Sequence, residues 1–223
     1  MKNKKYIENI MRRLMRKYGD KLHTELEHAN LTELFVAVLL SPQCTDKQVN
    51  KVTEQLFTRF KTFDDYADCN IKTLRKQLDG LNYYRTKAKN LKRSALMIVK
   101  DYNGEVPGRM NELMKLPGVG RKVANVILNE GFGIDEGIAV DTHCATVSRR
   151  LGLSDKKDAN KVEQDLLTML PKKYWKVSSN LFIALGRDAC TARNRKCEKC
   201  VLNDICPSST VKKNHAASIL SSE

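Results

Sequence analysis

Apolar residues recur at helical spacing along most of this chain of 223 residues. The first series follows the i, i+3, i+4, i+7, i+8 pattern of one helical face and consists of Ile7, Ile10, Met11, Leu14, Met15 and Tyr18. No stretch combines period-two alternation with the β-branched residues that a strand favours. The sequence therefore predicts an all-α protein of about ten short helices.

Polar caps indicate where two of these helices begin. Asn30, with Glu33 three residues later, predicts a capping box at the start of the second helix. Thr45 or Asp46 is the candidate cap of the third helix. The Gly-rich stretch 131–137 interrupts the helical pattern and is the candidate domain boundary.

The charge of the chain limits its partners. It carries 40 Lys+Arg against 26 Asp+Glu, a formal net charge of +14. Such a surplus favours nucleic acid as a partner, then anionic membrane, although a generic basic surface is the alternative. The longest apolar run, Leu34 to Leu40, is far shorter than the ~20 residues of a membrane span. With no signal peptide evident, we expect an intracellular protein of the cytoplasm and nucleoid.

Four of the seven cysteines form the pattern Cys190-x6-Cys197-x2-Cys200-x5-Cys206. Clustered cysteines in an intracellular chain indicate a metal centre rather than disulfides. The four cysteines could bind either zinc or a [4Fe–4S] cluster. Only Cys197 and Cys200 form a closely spaced pair, which slightly favours the iron–sulfur cluster. Cys44, Cys69 and Cys144 are expected to be buried small hydrophobic residues.

A second motif, Leu116-Pro117-Gly118-Val119-Gly120-Arg121-Lys122, joins two predicted helices. Its two glycines allow positive φ and close approach of the backbone to a ligand. Amide groups at the start of the following helix suit a phosphate, although most turns of this type merely join helices. The cations Arg121 and Lys122 directly after the turn favour a phosphate site.

Together these motifs resemble the endonuclease III family, the helix-hairpin-helix DNA glycosylases with an iron–sulfur cluster. The resemblance covers roughly residues 28–206 and is carried by four stretches: Leu39-Leu40-Ser41-Pro42-Gln43-Cys44-Thr45-Asp46, Leu116-Pro117-Gly118-Val119-Gly120-Arg121-Lys122-Val123-Ala124-Asn125, Val140-Asp141-Thr142-His143, and the four-cysteine loop. It implies an all-α, two-lobed helix-hairpin-helix fold with DNA in the cleft between the lobes. The implied six-helix bundle spans residues 24–134. Residues 1–23 and 135–206 form the cluster lobe, and residues 207–223 form a mobile tail.

The resemblance also implies catalytic roles. Lys122 occupies the place of the family's nucleophile, Asp141 that of the assisting carboxylate, and the four cysteines hold a [4Fe–4S] cluster. A lysine amine must lose its proton before it can attack the sugar, and a nearby carboxylate can relay that proton. From the residues alone, Lys122 could equally be a phosphate contact and Asp141 a helix cap. His143 is expected to be a structural partner.

The target base must leave the stack before it can react, so the resemblance implies residues that fill the vacated gap. Gln43 matches one of them. Tyr83 is the predicted second wedge and Leu81 its alternative, in a segment where Asn82 replaces a family glycine and is expected to adopt its left-handed conformation. An ordinary loop with core aromatics is the competing interpretation.

The implied DNA contacts outside the wedge are Gly118, Gly120, Arg121, Arg193, Arg195 and Lys196. Residues 1–22 and 172–200 each hold eight basic and two acidic residues. Five cations after the wedge segment are expected to form a basic strip that faces solvent and binds phosphates: Arg85, Lys87, Lys89, Lys92 and Arg93. We therefore expect a monomer that binds double-stranded DNA containing damaged bases or abasic sites. We do not expect it to bind a membrane.

The expected activity is that of a bifunctional DNA glycosylase/AP lyase that removes oxidised pyrimidines and cuts the strand 3′ to the site by β-elimination. The alternatives are a glycosylase for mismatched thymine, uracil or adenine, and a non-catalytic iron–sulfur module that binds DNA or senses redox state.

Overall fold

The computed structural model describes residues 4–19 and 23–211. These residues form eleven α-helices and no strand, which confirms the all-α prediction. A π-helical turn, Ile127–Gly131, directly follows the eighth helix, and two short 3₁₀ turns lie at Lys172–Tyr174 and Cys197–Lys199. The helices are α1 Lys4–Tyr18, α2 Leu31–Leu40, α3 Asp46–Arg59, α4 Phe63–Asp68, α5 Ile71–Gln77, α6 Tyr84–Tyr102, α7 Met110–Leu113, α8 Arg121–Val126, α9 Thr142–Arg150, α10 Ala159–Met169 and α11 Trp175–Asp188.

The chain divides into two compact units. The bundle unit is His23–Ala139, and the cysteine unit combines Met1–Leu22 with Val140–Glu223. The bundle unit ends at Ala139, whereas the predicted six-helix bundle ends at residue 134. The amide of Asn129, in the π-helical turn, donates a hydrogen bond of 2.8 Å to the carboxylate of Asp135. This bond holds the start of the linking segment to the bundle unit.

Helix α2 is the centre of the bundle unit. Every residue from Leu34 to Leu40 is buried, as expected of a helix that is apolar on all sides. Phe35 meets the edge of Phe63 at a centroid distance of 5.5 Å. A Cβ atom at Gly131 would lie 2.5 Å from Leu31 Cδ1, so the absence of a side chain there allows the π-helical turn to pack closely on α2.

The predicted caps are present, with one difference. Asn30 Oδ1 accepts from Glu33 N at 2.9 Å, but the Glu33 carboxylate accepts from Ala29 N rather than from the cap residue itself. Thr45, not Asp46, is the cap of α3 and forms a complete capping box with Gln48. This box fixes the chain immediately after Gln43 and Cys44.

In the cysteine unit, α1 buries five of its six predicted apolar residues against a core that includes α11. The exception is Met15, which is 42% exposed. At 100° per residue, Met15 points about 80° away from Ile7 around the helix, at the edge of the apolar face. Tyr18 closes this face and donates a hydrogen bond of 2.7 Å to the carboxylate of Asp188 in α11.

Among residues 4–19 and 23–211, every helix is too short or too polar to cross a membrane.

Candidate functional site

The glycine-containing turn lies between α7 and α8 in the bundle unit. Gly118 has a φ of +86°, and a Cβ atom there would approach the Asn90 side chain to 2.9 Å. Both the backbone conformation and the available space therefore require glycine. Ser94 Oγ in α6 donates to the Pro117 carbonyl at 2.9 Å and fixes the turn.

Gly120 has an ordinary backbone conformation, unlike Gly118. Its φ is −89°, which any residue adopts, and no atom lies within 4 Å of a Cβ atom built there. Of the two glycines, which both allow positive φ, only Gly118 uses it. The open space beside Gly120 leaves the start of α8 accessible to a ligand.

Lys122 is the second residue of α8. Val123 and Ala124, which follow it, are buried and anchor the helix, whereas the Lys122 side chain is exposed. Within the described part of the chain, its amine has no hydrogen-bond or ion-pair partner. The amine is thus available to an incoming group, and Arg121 beside it is half-buried.

Asp141 is the N-cap of α9 in the cysteine unit. Its Oδ1 accepts a hydrogen bond of 2.7 Å from Cys144 N, so the capping role considered for it is present. Its catalytic role remains a prediction. His143, in the first turn of α9, packs against Gly186, where an added Cβ atom would lie 2.9 Å from His143 Cβ. This close contact agrees with the structural role predicted for His143.

The two predicted wedge segments of the bundle unit share an uncommon backbone conformation. Gln43 and Tyr83 have φ values of +59° and +57°, and both side chains are exposed. Non-glycine residues rarely adopt this region, and such strain concentrates at ligand-binding and catalytic positions. Tyr83 is 66% exposed, whereas Leu81 is 3% exposed and belongs to the core of the bundle unit.

Asn82 differs from its predicted conformation. The left-handed residue of this turn is Tyr83, and Asn82 is not among the residues with positive φ. The Asn82 side chain instead donates a hydrogen bond of 2.6 Å from Nδ2 to the carbonyl oxygen of Gln43. No local pattern predicts this contact, because the two residues are 39 positions apart.

Two of the five cations after the wedge segment do not face solvent as predicted. Lys87 is 7% exposed and donates to Cys44 Sγ at 3.0 Å. Lys92 donates to the carbonyls of Ala67 and Cys69 at the end of α4, the latter at 2.7 Å. The prediction of a phosphate-binding strip is therefore wrong for these two lysines, while Arg85, Lys89 and Arg93 are exposed.

The four clustered cysteines line one shared cavity that is partly open to solvent. Leu202, fully buried, anchors the loop beneath it, and Leu202 N lies 3.5 Å from Cys200 Sγ. No group of three or more Cys, His, Asp or Glu residues in the described chain converges as required for a single metal ion.

Arg150 is a residue of this site that sequence reasoning missed. Its guanidinium donates to the carbonyls of Cys190, Thr191 and Ala192 at 2.8, 2.9 and 3.0 Å, and to Cys190 Sγ at 3.2 Å. Arg149–Arg150 reads as the basic end of a helix, and no sequence signal distinguishes the second arginine from the first. Only the packing of α9 on the loop does so.

The cations of the cysteine loop are only partly available. Arg193, Arg195 and Lys196 are exposed, but Arg195 donates to the carbonyl of Ser208 at 2.8 Å. Ser208 belongs to the segment predicted to be a mobile tail, so its first residues contact the loop. The rest of that predicted tail, 212–223, lies outside the described residues.

Of the remaining cysteines, Cys144 is buried as predicted, and Cys44 and Cys69 are partly buried. Burial raises the pKa of the Cys69 thiol. These positions agree with a packing role for Cys69 and Cys144.

Comparisons with known proteins agree with this arrangement. Residues 36–172 match the model of the HhH-GPD superfamily of base excision DNA repair proteins. Endonuclease III of Bacillus subtilis is 45% identical over 194 residues, which cover 85% of this chain and 88% of that protein. Endonuclease III of Escherichia coli is 37% identical over 183 residues, covering 82% and 86% of the two chains.

A solved structure gives the same result. A trapped endonuclease III–DNA covalent intermediate, an estranged-adenine complex, superposes with a TM-score of 0.88 at 41% identity, covering 93% of this chain and 97% of that one. The structure of a thermostable thymine-DNA glycosylase has a TM-score of 0.80 at 20% identity and therefore shares the fold alone. The family match, the identities and the coverage lead to one assignment. The chain belongs to the HhH-GPD superfamily and, within it, to the endonuclease III family of DNA glycosylase/AP lyases.

Proposed function

We propose that this protein is a base-excision repair enzyme that removes oxidised pyrimidines from duplex DNA and cuts the strand through a Schiff base on Lys122. The observation that carries the proposal is the Lys122 amine, which is exposed and unpartnered within the described chain, directly after a hairpin whose geometry requires Gly118. A relative 41% identical to this chain has been trapped as a covalent intermediate with DNA, which supports the same type of step here.

The proposed chemistry begins with a neutral Lys122 amine. Its nitrogen attacks C1′ of the damaged nucleotide, the C1′–base bond breaks, and the base leaves with a proton. The opened sugar and the amine form a Schiff base, which acidifies the C2′ proton. Loss of that proton expels the 3′ phosphate by β-elimination, and water then releases the lysine. Asp141 is proposed to relay the protons of these steps.

The damaged nucleotide must leave the stack first, and we assign Gln43 and Tyr83 to the gap it vacates. Both are exposed at the tips of left-handed turns, and aromatic stacking on bases contributes about 1–3 kcal/mol. Leu81, the alternative wedge, is buried in the core, which favours Tyr83.

The proposed anion contacts lie on both units. In the bundle unit, Gly118, Gly120 and Arg121 surround the open start of α8, where backbone amides suit a phosphate. In the cysteine unit, the exposed Arg193 and Lys196 are the cations best suited to phosphate, with Arg195 shared between Ser208 and solvent. Such contacts position the duplex but do not read its sequence.

The residues of the cysteine loop fit a [4Fe–4S] cluster. A single zinc ion needs all four sulfurs at about 2.3 Å from one point, whereas each cysteine of a cluster binds a different iron. The thiols of Cys190, Cys197, Cys200 and Cys206 line one shared cavity, and four cysteines hold such a cluster in the family that the chain resembles, which supports the cluster. Bound there, it would supply a rigid scaffold for the cationic loop.

We also propose that the protein acts in the cytoplasm and nucleoid, where its DNA substrate lies.

The competing activities have less support. The thymine-DNA glycosylase shares 20% identity, so it does not favour a mismatch activity for this chain. A non-catalytic DNA-binding module would not need an accessible amine after the hairpin. Oxidised pyrimidines are the substrate class that the resemblance implies, and a panel of duplexes carrying damaged and mismatched bases tests it.

Borohydride trapping tests the mechanism. Borohydride reduces a Schiff base to a stable amine, so the wild-type protein should become covalently attached to abasic-site DNA. Lys122→Ala should abolish the adduct, and Lys122→Arg should abolish it while keeping the positive charge for phosphate. The control is Lys115→Ala, which removes an exposed lysine from the same hairpin and should leave trapping unchanged.

Three results would contradict the proposal. The wild type could bind duplex DNA without forming an adduct, Lys122→Arg could still be trapped, or Lys115→Ala could lose trapping as completely as Lys122→Ala.

Asp141→Asn has its own test, because it keeps a capping oxygen for Cys144 N. It should slow trapping by at least about tenfold, a typical contribution of general acid–base catalysis being 10²–10⁴-fold.

A further inference from the structure

The geometry points to Asn82 as a positioning residue that joins the turn carrying Gln43 to the turn carrying Tyr83, so that both side chains enter a duplex as one unit. The inference rests on the proposed function, because it takes Gln43 and Tyr83 as the residues that fill the vacated gap. Its chemical partner is the unstacked base step of duplex DNA.

The contact itself is short and links distant parts of the chain. Asn82 Nδ2 donates to the Gln43 carbonyl at 2.6 Å across 39 positions of sequence. The acceptor is a backbone atom, so the bond fixes the path of the chain at Gln43 and leaves the Gln43 side chain free to contact a base. The glycine that the family has at this place could not make such a bond, because it has no side chain.

Both turns have a strained backbone conformation, which the Asn82 hydrogen bond helps to stabilise. Gln43 and Tyr83 are two of only three non-glycine residues with positive φ in the described chain. Such a conformation costs free energy and persists where surrounding contacts over-determine it. An isolated turn of this type would populate other conformations in which the side chain no longer points at the duplex.

A second bond lies next to the first and holds the same pair of segments. Lys87, in the first turn of α6, donates to Cys44 Sγ at 3.0 Å, and this lysine is 7% exposed. Tyr83 is the N-cap of α6, and its carbonyl accepts from Lys87 N at 3.0 Å. The buried bond therefore ties the base of the two turns together, and the exposed Asn82 bond ties their tips.

The turns are anchored independently of Asn82. Leu81 is buried on one side, and the capping box of Thr45 and Gln48 fixes the other. Loss of the Asn82 amide should therefore leave the fold intact and loosen only the tips. Loosened tips must be ordered when they enter DNA, and this ordering slows insertion or weakens the complex.

The experiment uses the full-length protein and a duplex that carries an uncleavable abasic analogue with 2-aminopurine as the opposite base. Insertion of the wedge residues unstacks 2-aminopurine and raises its fluorescence, which stopped-flow mixing follows in time. Asn82→Gly removes the donor, and Asn82→Asp replaces it with an oxygen that faces the Gln43 carbonyl. We expect insertion to slow, or the complex to weaken, by about two- to tenfold, the usual range for one lost hydrogen bond, with Asn82→Asp the more affected.

Asn103→Asp is the matched control. Asn103, at the end of α6, is exposed like Asn82 and undergoes the same change of charge. This variant should insert at the wild-type rate. All three variants should keep the wild-type melting temperature, and a defect in Asn82→Gly that merely follows a lower melting temperature would overturn the positioning role.

A double-mutant cycle with Tyr83→Ala provides the decisive readout. If Asn82 acts by placing Tyr83, the effect of Asn82→Gly should shrink when Tyr83 is absent, so the two changes are not additive. Additive effects, or wild-type insertion by both Asn82 variants, would overturn the inference alone. A wild-type protein that produces no fluorescence change would overturn the wedge assignment in the proposed function as well.

Discussion

Arg150 contacts Cys190 twice: its guanidinium donates to the carbonyl oxygen at 2.8 Å and to Sγ at 3.2 Å. The same group donates to the carbonyls of Thr191 and Ala192. An arginine at the end of α9 therefore fixes the first three residues of the cysteine loop, using the planar fork that lysine lacks.

Replacing Arg150 should consequently destabilise the cysteine unit. Arg150→Lys keeps the charge but cannot reach three carbonyls and a sulfur at once. We expect a loss of about 2 kcal/mol in the free energy of unfolding, since bonds to charged groups contribute about 1.5–3 kcal/mol each and are not additive. Urea unfolding measures this loss, and the iron content of the purified protein reports whether the proposed cluster is retained. Arg149→Lys, at the exposed neighbouring position, should match the wild type, and equal stability of both variants would contradict this role.

The hairpin should distinguish sharply between its two glycines. Gly118→Ala places a side chain at a φ of +86° and 2.9 Å from Asn90, so the free energy of unfolding should fall by about 1–3 kcal/mol. Gly120→Ala meets open space at an ordinary φ and should change stability by about 0.5 kcal/mol or less. Thermal unfolding of the two variants checks the difference. The reverse order would contradict the geometry of the turn.

The ion pair and hydrogen bond that join α1 to Asp188 in α11 should weaken in acid. The Lys17 ammonium and the Tyr18 hydroxyl both donate to Asp188 and hold the pKa of its carboxyl below the usual range. The stabilisation is therefore complete above the unfolded pKa of about 3.9 and is lost as pH falls through the lower folded value. Asp188→Asn should reduce the change in melting temperature between about pH 5 and about pH 2, a range that brackets this loss.

The control for the acid experiment is Asp101→Asn, an exposed carboxylate on α6 in the bundle unit. It should keep the full wild-type dependence on pH over the same range. If Asp188→Asn and the wild type lose stability in parallel, the ion pair and hydrogen bond contribute nothing to acid sensitivity.

Phosphate contacts of the cysteine loop should appear in the salt dependence of binding. Arg193 is exposed and, in the described chain, has no hydrogen-bond or ion-pair partner, whereas Arg195 donates to Ser208. Arg193→Ala should reduce the slope of log binding constant against log salt by about 1, and weaken binding equally for all sequences. Fluorescence anisotropy at several salt concentrations measures the slope. Arg12→Ala, on the exposed face of α1, is a comparison that also removes one positive charge. An unchanged slope for Arg193→Ala would exclude it as a phosphate contact.

Local sequence determined the helices and the starts of several of them. The i, i+3, i+4 spacing of α1 predicted five buried residues correctly, because one face of a helix follows from 3.6 residues per turn. Asn30 and Thr45 predicted their helix starts because a cap bonds to an amide three residues away. The four-cysteine spacing and the hairpin likewise lie within about twenty residues of sequence, so both motifs could be found without a fold.

Contacts between residues far apart in sequence were decided by tertiary structure alone. Lys87 and Lys92 read as exposed cations, yet one bonds to a thiol 43 positions away and the other caps α4. Asn82 was expected to supply a left-handed turn, but its amide bonds to Gln43 and Tyr83 takes the strained conformation. Arg150 carries no signal that separates it from Arg149. In each case a polar side chain obtained its partner from another element, and the sequence by itself does not state which elements meet.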